Sequence, residues 1–383
     1  MSNNIKSTIG EIFSELAGAL ETGKLGGATK VAVTVRGSEH GEDEIIRGAL
    51  LAQKQNPDLQ IVLIGPANDS GLHTFIADDE HAQHALMEQL LDNGEVAACV
   101  TMHYNFPVGV ATVGRVITPG RGREMILSTT TGTASTDRVE AMIKNAVSGL
   151  ATAKALGIAE PTLGILNVDG SRQVERAMNK LADNGYAFRW SESVRADGGA
   201  VMRGNDLLLG APDVMVTDTL TGNLLMKVFS SFNSGGDYEA SGYGYGPGIG
   251  EGYRRIILIL SRASGAPVVA GALQYAGQLA NGKILEKAAG EYAAANRAGM
   301  AALFEEMKQS SSSAAPQVVA PAKKVVTAEI TGVDVMQLEE ATKVLWGKGI
   351  YAETGMGCVG PVVLVAPEDE EQAAAELKRA GYF

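Results

Sequence analysis

Few side chains in this chain are placed to start chemistry. Cys358 stands in Gly355-Met356-Gly357-Cys358-Val359-Gly360-Pro361 and is one of two cysteines. A thiol among glycines is open to approach. Successive backbone N–H groups there can form a nest, lower the thiol pKa and stabilise a thioester oxyanion. Cys358 therefore reads as a covalent acyl carrier. Its plain alternative is a small apolar residue in a tight turn. Cys99 follows Ala97 and Ala98 and precedes Val100, a setting that suits a small core hydrophobe. It also ends a strand that leads into Thr101–Gly109, with Asn105 as a candidate ligand, so a catalytic role stays open. The five histidines have no metal-ligand spacing with either cysteine, which argues against a metal site.

Three more loops carry suitable groups. Ser261-Arg262 closes an apolar run from Ile256. A guanidinium there can clamp phosphate or a carbonyl oxygen bidentately, and the serine can donate to a leaving group. Thr221-Gly222-Asn223 opens a helix, with Lys227 one turn on. Gly222 permits close backbone approach, and Asn223 and Thr221 present polar groups. The third loop runs from Arg36 to Glu44 and contains His40. A strand ending in a glycine-flanked loop before a helix is an anion-binding geometry, and Glu42-Asp43-Glu44 suits the positive end of that helix. Taken singly, these are equally an arginine in a turn, a helix start and an N-cap.

The elements that must hold these loops alternate. Residues 5–25 have helical apolar spacing. Lys30–Val35, a helix from Ile45, and Gln60–Gly65 make a βαβ unit, which predicts a parallel sheet. Further strands are expected at Val96–Thr101, Met125–Ser128, Leu163–Val168 and Val214–Thr217. Ile256–Ser261 and Pro267–Ala270 are apolar runs, and helices are expected at 138–156, 171–184, 272–279 and 284–308. At 309 the composition turns to Ser, Ala and Pro through Lys324, which reads as a linker. Beyond it Val325–Ile330, Val335–Gly347, Ile350–Thr354, Val362–Ala366 and Glu368–Ala380 read as a βαββα module. The expected domains are an N-terminal helix (1–28), an α/β body (29–308), the linker (309–324) and the Cys358 module (325–383).

Composition narrows the class. The 383 residues suffice for two or three domains. Glycine is abundant, with 47 residues, and aromatics make up only 5%, which suits an α/β enzyme with many tight turns. The net charge is −12, with no dense basic run, so nucleic acid is not an expected partner. Any phosphate site must be built locally. No stretch nears the ~20 apolar residues of a membrane span, and Met1–Thr8 lacks the apolar core of a signal peptide. Two distant cysteines suggest free thiols, so a cytoplasmic protein is expected.

In their order along the chain these loops resemble the phosphate acyltransferase superfamily, which includes the acyl-phosphate-forming enzyme of phospholipid synthesis, phosphotransacetylase and phosphotransbutyrylase. Gly37–Ala49, Leu163–Val168 and Gly210–Val214 through Lys227 resemble blocks of the phospholipid enzyme. Ser261-Arg262 resembles the Ser-Arg pair that phosphotransacetylases turn toward phosphate and the acyl carbonyl. The whole chain, cysteine module included, is similar to the component C alpha subunits of glycine/sarcosine/betaine reductase complexes. That resemblance implies a three-layer α/β fold with a parallel or mixed sheet. It implies two subdomains around a cleft, as in isocitrate and isopropylmalate dehydrogenases, plus the small α+β module. It also implies acetyl transfer from a selenoprotein (component A) to a cysteine, then release to phosphate as acetyl phosphate. Phosphate would be the co-substrate, with no other cofactor, and a component C beta subunit a partner. Cys358, Cys99, Ser261 and Arg262 would be catalytic. Asn223, Lys227, Thr221, Gly222, His40 and Asn105 would bind phosphate or substrate. One departure stands out: Gly265-Ala266-Pro267-Val268 replaces the stretch holding the phosphotransacetylase acid/base Asp. Two other classes remain: a phosphate acyltransferase using coenzyme A or acyl carrier protein, and a non-catalytic subunit that presents the module.

Overall fold

A computed structural model describes residues 28–196, 198–312, 318–334, 337–357 and 360–383. Contacts divide the chain into two units. One comprises the chain up to Leu166 with Lys180–Ala298; the other comprises Asn167–Asn179 with Gly299–Phe383. The helix expected at 5–25 and Cys358 itself lie outside the described residues.

The first unit is built on one large sheet. Its strands are β1 (Thr29–Thr34), β2 (Leu59–Gly65), β3 (Thr74–Ile76), β4 (Ala98–Thr101), β5 (Val110–Ile117), β6 (Glu124–Thr133), β7 (Thr162–Leu166), β8 (Arg189–Trp190), β9 (Val201–Met202), β10 (Val214–Val216), β11 (Gly246–Ile249) and β12 (Ile257–Ile259). Their order is β3-β2-β1-β4-β12-β11-β5-β6-β10-β7-β8, with β9 beside β7. Both flanks are parallel. The middle is not: β11 runs antiparallel to β12 and to β5, and β5 antiparallel to β6. A mixed α/β fold with a mostly parallel sheet results. The parallel strands read as unbroken apolar runs because both faces are covered: Ile61, Val62, Leu63 and Ile64 are all buried.

The helices of this unit include α1 (Glu42–Gln55), α2 (Glu80–Asp92), α3 (Arg138–Ala155), α4 (Ser171–Asp183, shared with the second unit), α5 (Gly204–Leu209), α6 (Thr219–Ser231), α7 (Ala266–Asn281) and α8 (Ile284–Arg297). Two expectations are corrected. Pro267–Ala270 is the first turn of α7, where proline's missing N–H has no cost. The single helix expected at 284–308 is two, α8 and α9 (Met300–Ser312), broken at Gly299 with φ 96°. The helix also runs to Ser312, four residues into the expected linker.

The second unit contains the sheet β13-β15-β14, formed by β13 (Ala328–Thr331), β14 (Ala352–Gly357) and β15 (Gly360–Val365). It is antiparallel throughout. Helices α10 (Leu338–Gly347) and α11 (Glu370–Arg379) pack on it around Ile330, Leu345, Ile350, Val363 and Leu377. The glycine-rich stretch expected as a loop from Gly355 is strand up to Gly357 and again from Gly360, and these two residues pair. In the same unit Arg176 Nη2 of α4 donates to Gln337 Oε1 at 2.8 Å. Among the described residues no helix is long and apolar enough to cross a membrane.

Helix α1 approaches α7 closely because Gly48 faces it. A Cβ at Gly48 would stand 2.5 Å from Val269 Cβ and 2.9 Å from the Ala266 carbonyl oxygen. Alanine would raise helix propensity by ~1 kcal/mol, but the overlap costs about 1–3 kcal/mol. Gly48→Ala is therefore expected to lower the urea midpoint of unfolding rather than raise it.

Candidate functional site

The pairing of β11 with β12 assembles the site. Gly246 lies opposite Ile259, so the residues just before β11 meet those just after β12. The chain before β11 turns sharply through Gly242, Gly244 and Gly246, all at positive φ. This returns Glu239 and Tyr245 to one place. Glu239 N donates to the Ala263 carbonyl at 2.9 Å, and Gly265 N donates to the Glu239 carbonyl at 3.0 Å.

The Glu239 carboxylate is fully buried, yet it is held by donors on all sides. Lys227 Nζ donates to Oε1 at 2.7 Å, Tyr245 OH donates to Oε1 at 3.3 Å, and Ser264 Oγ donates to Oε2 at 2.8 Å. Burial pushes the Tyr245 hydroxyl pKa upward, keeping it a donor. Lys227 Nζ also donates to Ser261 Oγ at 3.1 Å, which further accepts from Ala263 N at 3.1 Å. Lys227 is partly exposed, and Arg262 is exposed.

The loop of Arg36–Glu44 reaches the same place. Glu39 N donates to the Arg262 carbonyl at 2.8 Å, and the exposed His40 ring lies 5.1 Å from the Tyr238 ring. Glu44 does not serve its own helix alone. Its Oε1 accepts from Ala266 N and from Tyr238 OH, both at 2.7 Å, and Arg47 Nη2 pairs with Oε2 at 2.9 Å. Because the N-cap of α7 is Gly265, which has no side chain to offer, Glu44 supplies the missing cap from α1. The stretch where the acid/base Asp was sought is therefore a helix start capped from across the fold. Burial pushes the Glu44 carboxyl up. The Ala266 N–H, the Tyr238 hydroxyl and the Arg47 charge outweigh this and hold it below the usual glutamate range.

The structure thus joins Lys227 to Ser261 directly, and it ties the loop of His40 to the Arg262 backbone through Glu39. Asn223 is exposed one turn before Lys227 on α6, on the same helix face by spacing. Thr221 is occupied with capping: its Oγ1 donates to Asp218 Oδ2 at 2.6 Å, and its N–H donates to Asp218 Oδ1. Gly222 does permit close approach, but of strand β6. A Cβ there would overlap the Thr129 carbonyl. Asn105 is exposed between Tyr104 and Phe106, whose rings pack together. No described contact links it to the Glu239 cluster. Cys99 is corrected from a catalytic candidate to a core residue. It packs with Ala32, Val62, Met87 and Ile257, and burial pushes its thiol pKa far up, so a thiolate is suppressed.

Glu239, Tyr245, Ser264 and Tyr238 were not singled out from sequence, and Glu44 was read only as an acid at the start of its own helix. The available signal was an acidic residue between Gly235-Gly236 and the alternating Gly242-Tyr243-Gly244-Tyr245-Gly246. Among the described residues, no group of three His, Cys, Asp or Glu is arranged to hold a metal.

A family profile described as "Fatty acid synthesis protein" matches residues 29–364. The glycine/sarcosine/betaine reductase complex component C subunit alpha of Peptoclostridium acidaminophilum is 55% identical over 381 residues, 99% of each chain. The phosphate acyltransferase of Anoxybacillus flavithermus is 27% identical over 238 residues, covering 52% of this chain and 70% of that one. A branched-chain phosphotransacylase structure from Enterococcus faecalis V583 aligns at 16% identity with a TM-score of 0.45, over 65% of this chain and 99% of that chain.

Two outcomes are expected of this geometry. Glu44 contributes fully at neutral pH, and its contribution fades as pH falls below the ordinary value of 4.5 through its lower folded value. Glu44→Gln should cost about 1–3 kcal/mol at pH 7. The gap to the unaltered chain should narrow in urea titrations below that pH. In a Cys358→Ala chain, Cys99 is the remaining thiol. It should resist a disulfide reagent at pH 8 in the folded state and react fully in guanidinium.

Proposed function

Since this chain belongs to the fatty acid synthesis protein family, and through it to the phosphate acyltransferase superfamily, we propose that it transfers an acetyl group to phosphate within a glycine/sarcosine/betaine reductase complex. The observation that carries the proposal is the convergence of Lys227, Ser261 and the Arg262 loop on the buried Glu239 carboxylate. An ammonium and a serine hydroxyl in contact, beside the loop that carries Arg262, support the reading, since phosphate attack on a thioester needs a cation and a hydrogen-bond donor. The relative that is 55% identical is named for that complex, which supports the setting.

In the proposed reaction the acetyl group arrives from a selenoprotein and is held as a thioester of Cys358. A phosphate oxygen attacks the thioester carbonyl, and a tetrahedral intermediate forms. The C–S bond then breaks, leaving the Cys358 sulfur and acetyl phosphate. Lys227 and Arg262 offset the charge of phosphate and of the intermediate, and Ser261 donates a hydrogen bond to the departing sulfur. Phosphate is the co-substrate and no other cofactor enters. A beta subunit is the expected companion, and a cytoplasmic location belongs to the same proposal. So does the two-subdomain body of the isocitrate and isopropylmalate dehydrogenase kind, with its cleft as the phosphate site. A second reading is favoured by the phosphate acyltransferase match: acyl transfer to phosphate from coenzyme A or acyl carrier protein, with Cys358 incidental.

The full chain with its complex should catalyse arsenate-dependent breakdown of acetyl phosphate. Arg262→Gln should raise the phosphate KM about tenfold, the loss of one charged hydrogen bond. Cys358→Ala should abolish acetyl transfer and leave no acyl-protein adduct. If transfer from the selenoprotein persists in that variant, the carrier role is overturned. Retained activity with acyl-CoA or acyl carrier protein would establish the second reading.

A further inference from the structure

We infer that Glu239 is the positioning residue of this site: its carboxylate decides which hydrogens Lys227 and Ser261 have left to offer a reactant. The inference rests on the acyl-transfer reading above and assigns a residue outside its catalytic set. An ammonium has three hydrogens and no acceptor. Lys227 commits one to Glu239 Oε1 at 2.7 Å and one to Ser261 Oγ at 3.1 Å, which leaves one. A serine hydroxyl has two acceptor positions and one hydrogen. At Ser261 the acceptor positions are taken by Lys227 Nζ and by Ala263 N. Its hydrogen can therefore only be given away, to an acceptor such as an arriving atom. The site presents one ammonium hydrogen, suited to a phosphate oxygen. It also presents one hydroxyl hydrogen, suited to a departing sulfur.

Glu239 is itself immobile. It is fully buried, its two oxygens accept from Lys227, Tyr245 and Ser264, and its backbone is tied to Ala263 and Gly265. A buried carboxylate that lost these partners would carry an uncompensated charge, so the arrangement has little freedom to relax. Glutamine would keep the shape but replace one acceptor with a donor and remove the charge. Lys227, partly exposed, would turn to water, and Ser261 would regain a vacant acceptor position.

Arsenolysis of acetyl phosphate by the full chain in its complex is compared for Glu239→Gln, Lys227→Met and the double variant. Each single change should lower kcat/KM for the oxyanion about 10- to 100-fold, the loss of one charge-assisted hydrogen bond. Because Glu239 acts through Lys227, the double variant should fall within about twofold of Lys227→Met. Losses that multiply, with melting temperatures falling in parallel, would make Glu239 merely structural and overturn the inference. A second arm needs no activity: acetylation of Lys227 by acetic anhydride in the folded chain, read by peptide mass spectrometry. Freed of its counter-ion, Lys227 in Glu239→Gln should react at least about fivefold faster, as an ion-paired ammonium is the unreactive form. An unchanged rate refutes the positioning role. If the unaltered chain shows no arsenolysis, the acyl-transfer reading falls and the labelling arm alone judges Glu239. If Glu239→Gln does not fold, Glu239→Asp draws the carboxylate back from Lys227 by one methylene and should accelerate labelling in the same direction. A rate equal to that of the unaltered chain would then overturn the inference.

Discussion

A carboxylate with no exposed surface must be met by donors, and at Glu239 that requirement organises three separate stretches of chain. Lys227 comes from the middle of α6, Tyr245 from the turn before β11, and Ser264 from the loop after β12. Ser261 is drawn in through Lys227. If Lys227 were absent, a charge would sit unpaired in a low-dielectric interior at a cost of several kcal/mol. The polar end of the sheet is thus specified by one buried anion, and the groups exposed around it inherit their orientation from that anion.

The antiparallel seam makes this possible. Parallel strands deliver their C-terminal ends to one edge, but successive parallel strands are separated by a crossover. The reversal at β11 lets residues 239–245 and 260–264 approach as neighbours, since Gly246 lies beside Ile259. The second brace is the Glu44 carboxylate, which caps α7 from α1 and supports Tyr238 against Gly265. Both braces are acids placed against N–H or ammonium donors. Both belong to a chain of net charge −12, in which local pairing, not overall attraction, must create any place for an anion.

Legibility from sequence was uneven for reasons that can be named. The flanking parallel strands were readable because burial on both faces leaves unbroken apolar runs, as in Ile61–Ile64. Lys227 and Ser261-Arg262 were readable because polar groups just beyond such runs are placed at strand or helix ends. Gly222 was read for its missing side chain, correctly as to close approach, but the approaching group is the β6 backbone. Cys99 was left open because an apolar neighbourhood and a strand end argue in opposite directions; its complete burial decides for the core. Pro267–Ala270 was readable only as an apolar run because an apolar first helical turn has no period to reveal it.

By itself the sequence determined an α/β chain with a large, mostly parallel sheet. It marked a short C-terminal stretch of alternating strands and helices, and a set of strand-end loops as candidate places for chemistry. These follow from local periodicity and residue type, which act over a few residues. Only the tertiary structure decided which loops meet. Glu239 sits twelve residues from Lys227 and 25 from Ser264, and no periodicity relates them. Their meeting depends on strand order and on the direction of β11, which arise from packing the whole sheet. The buried acid at its centre was invisible to any reading that takes charged residues as solvated until their partners are known.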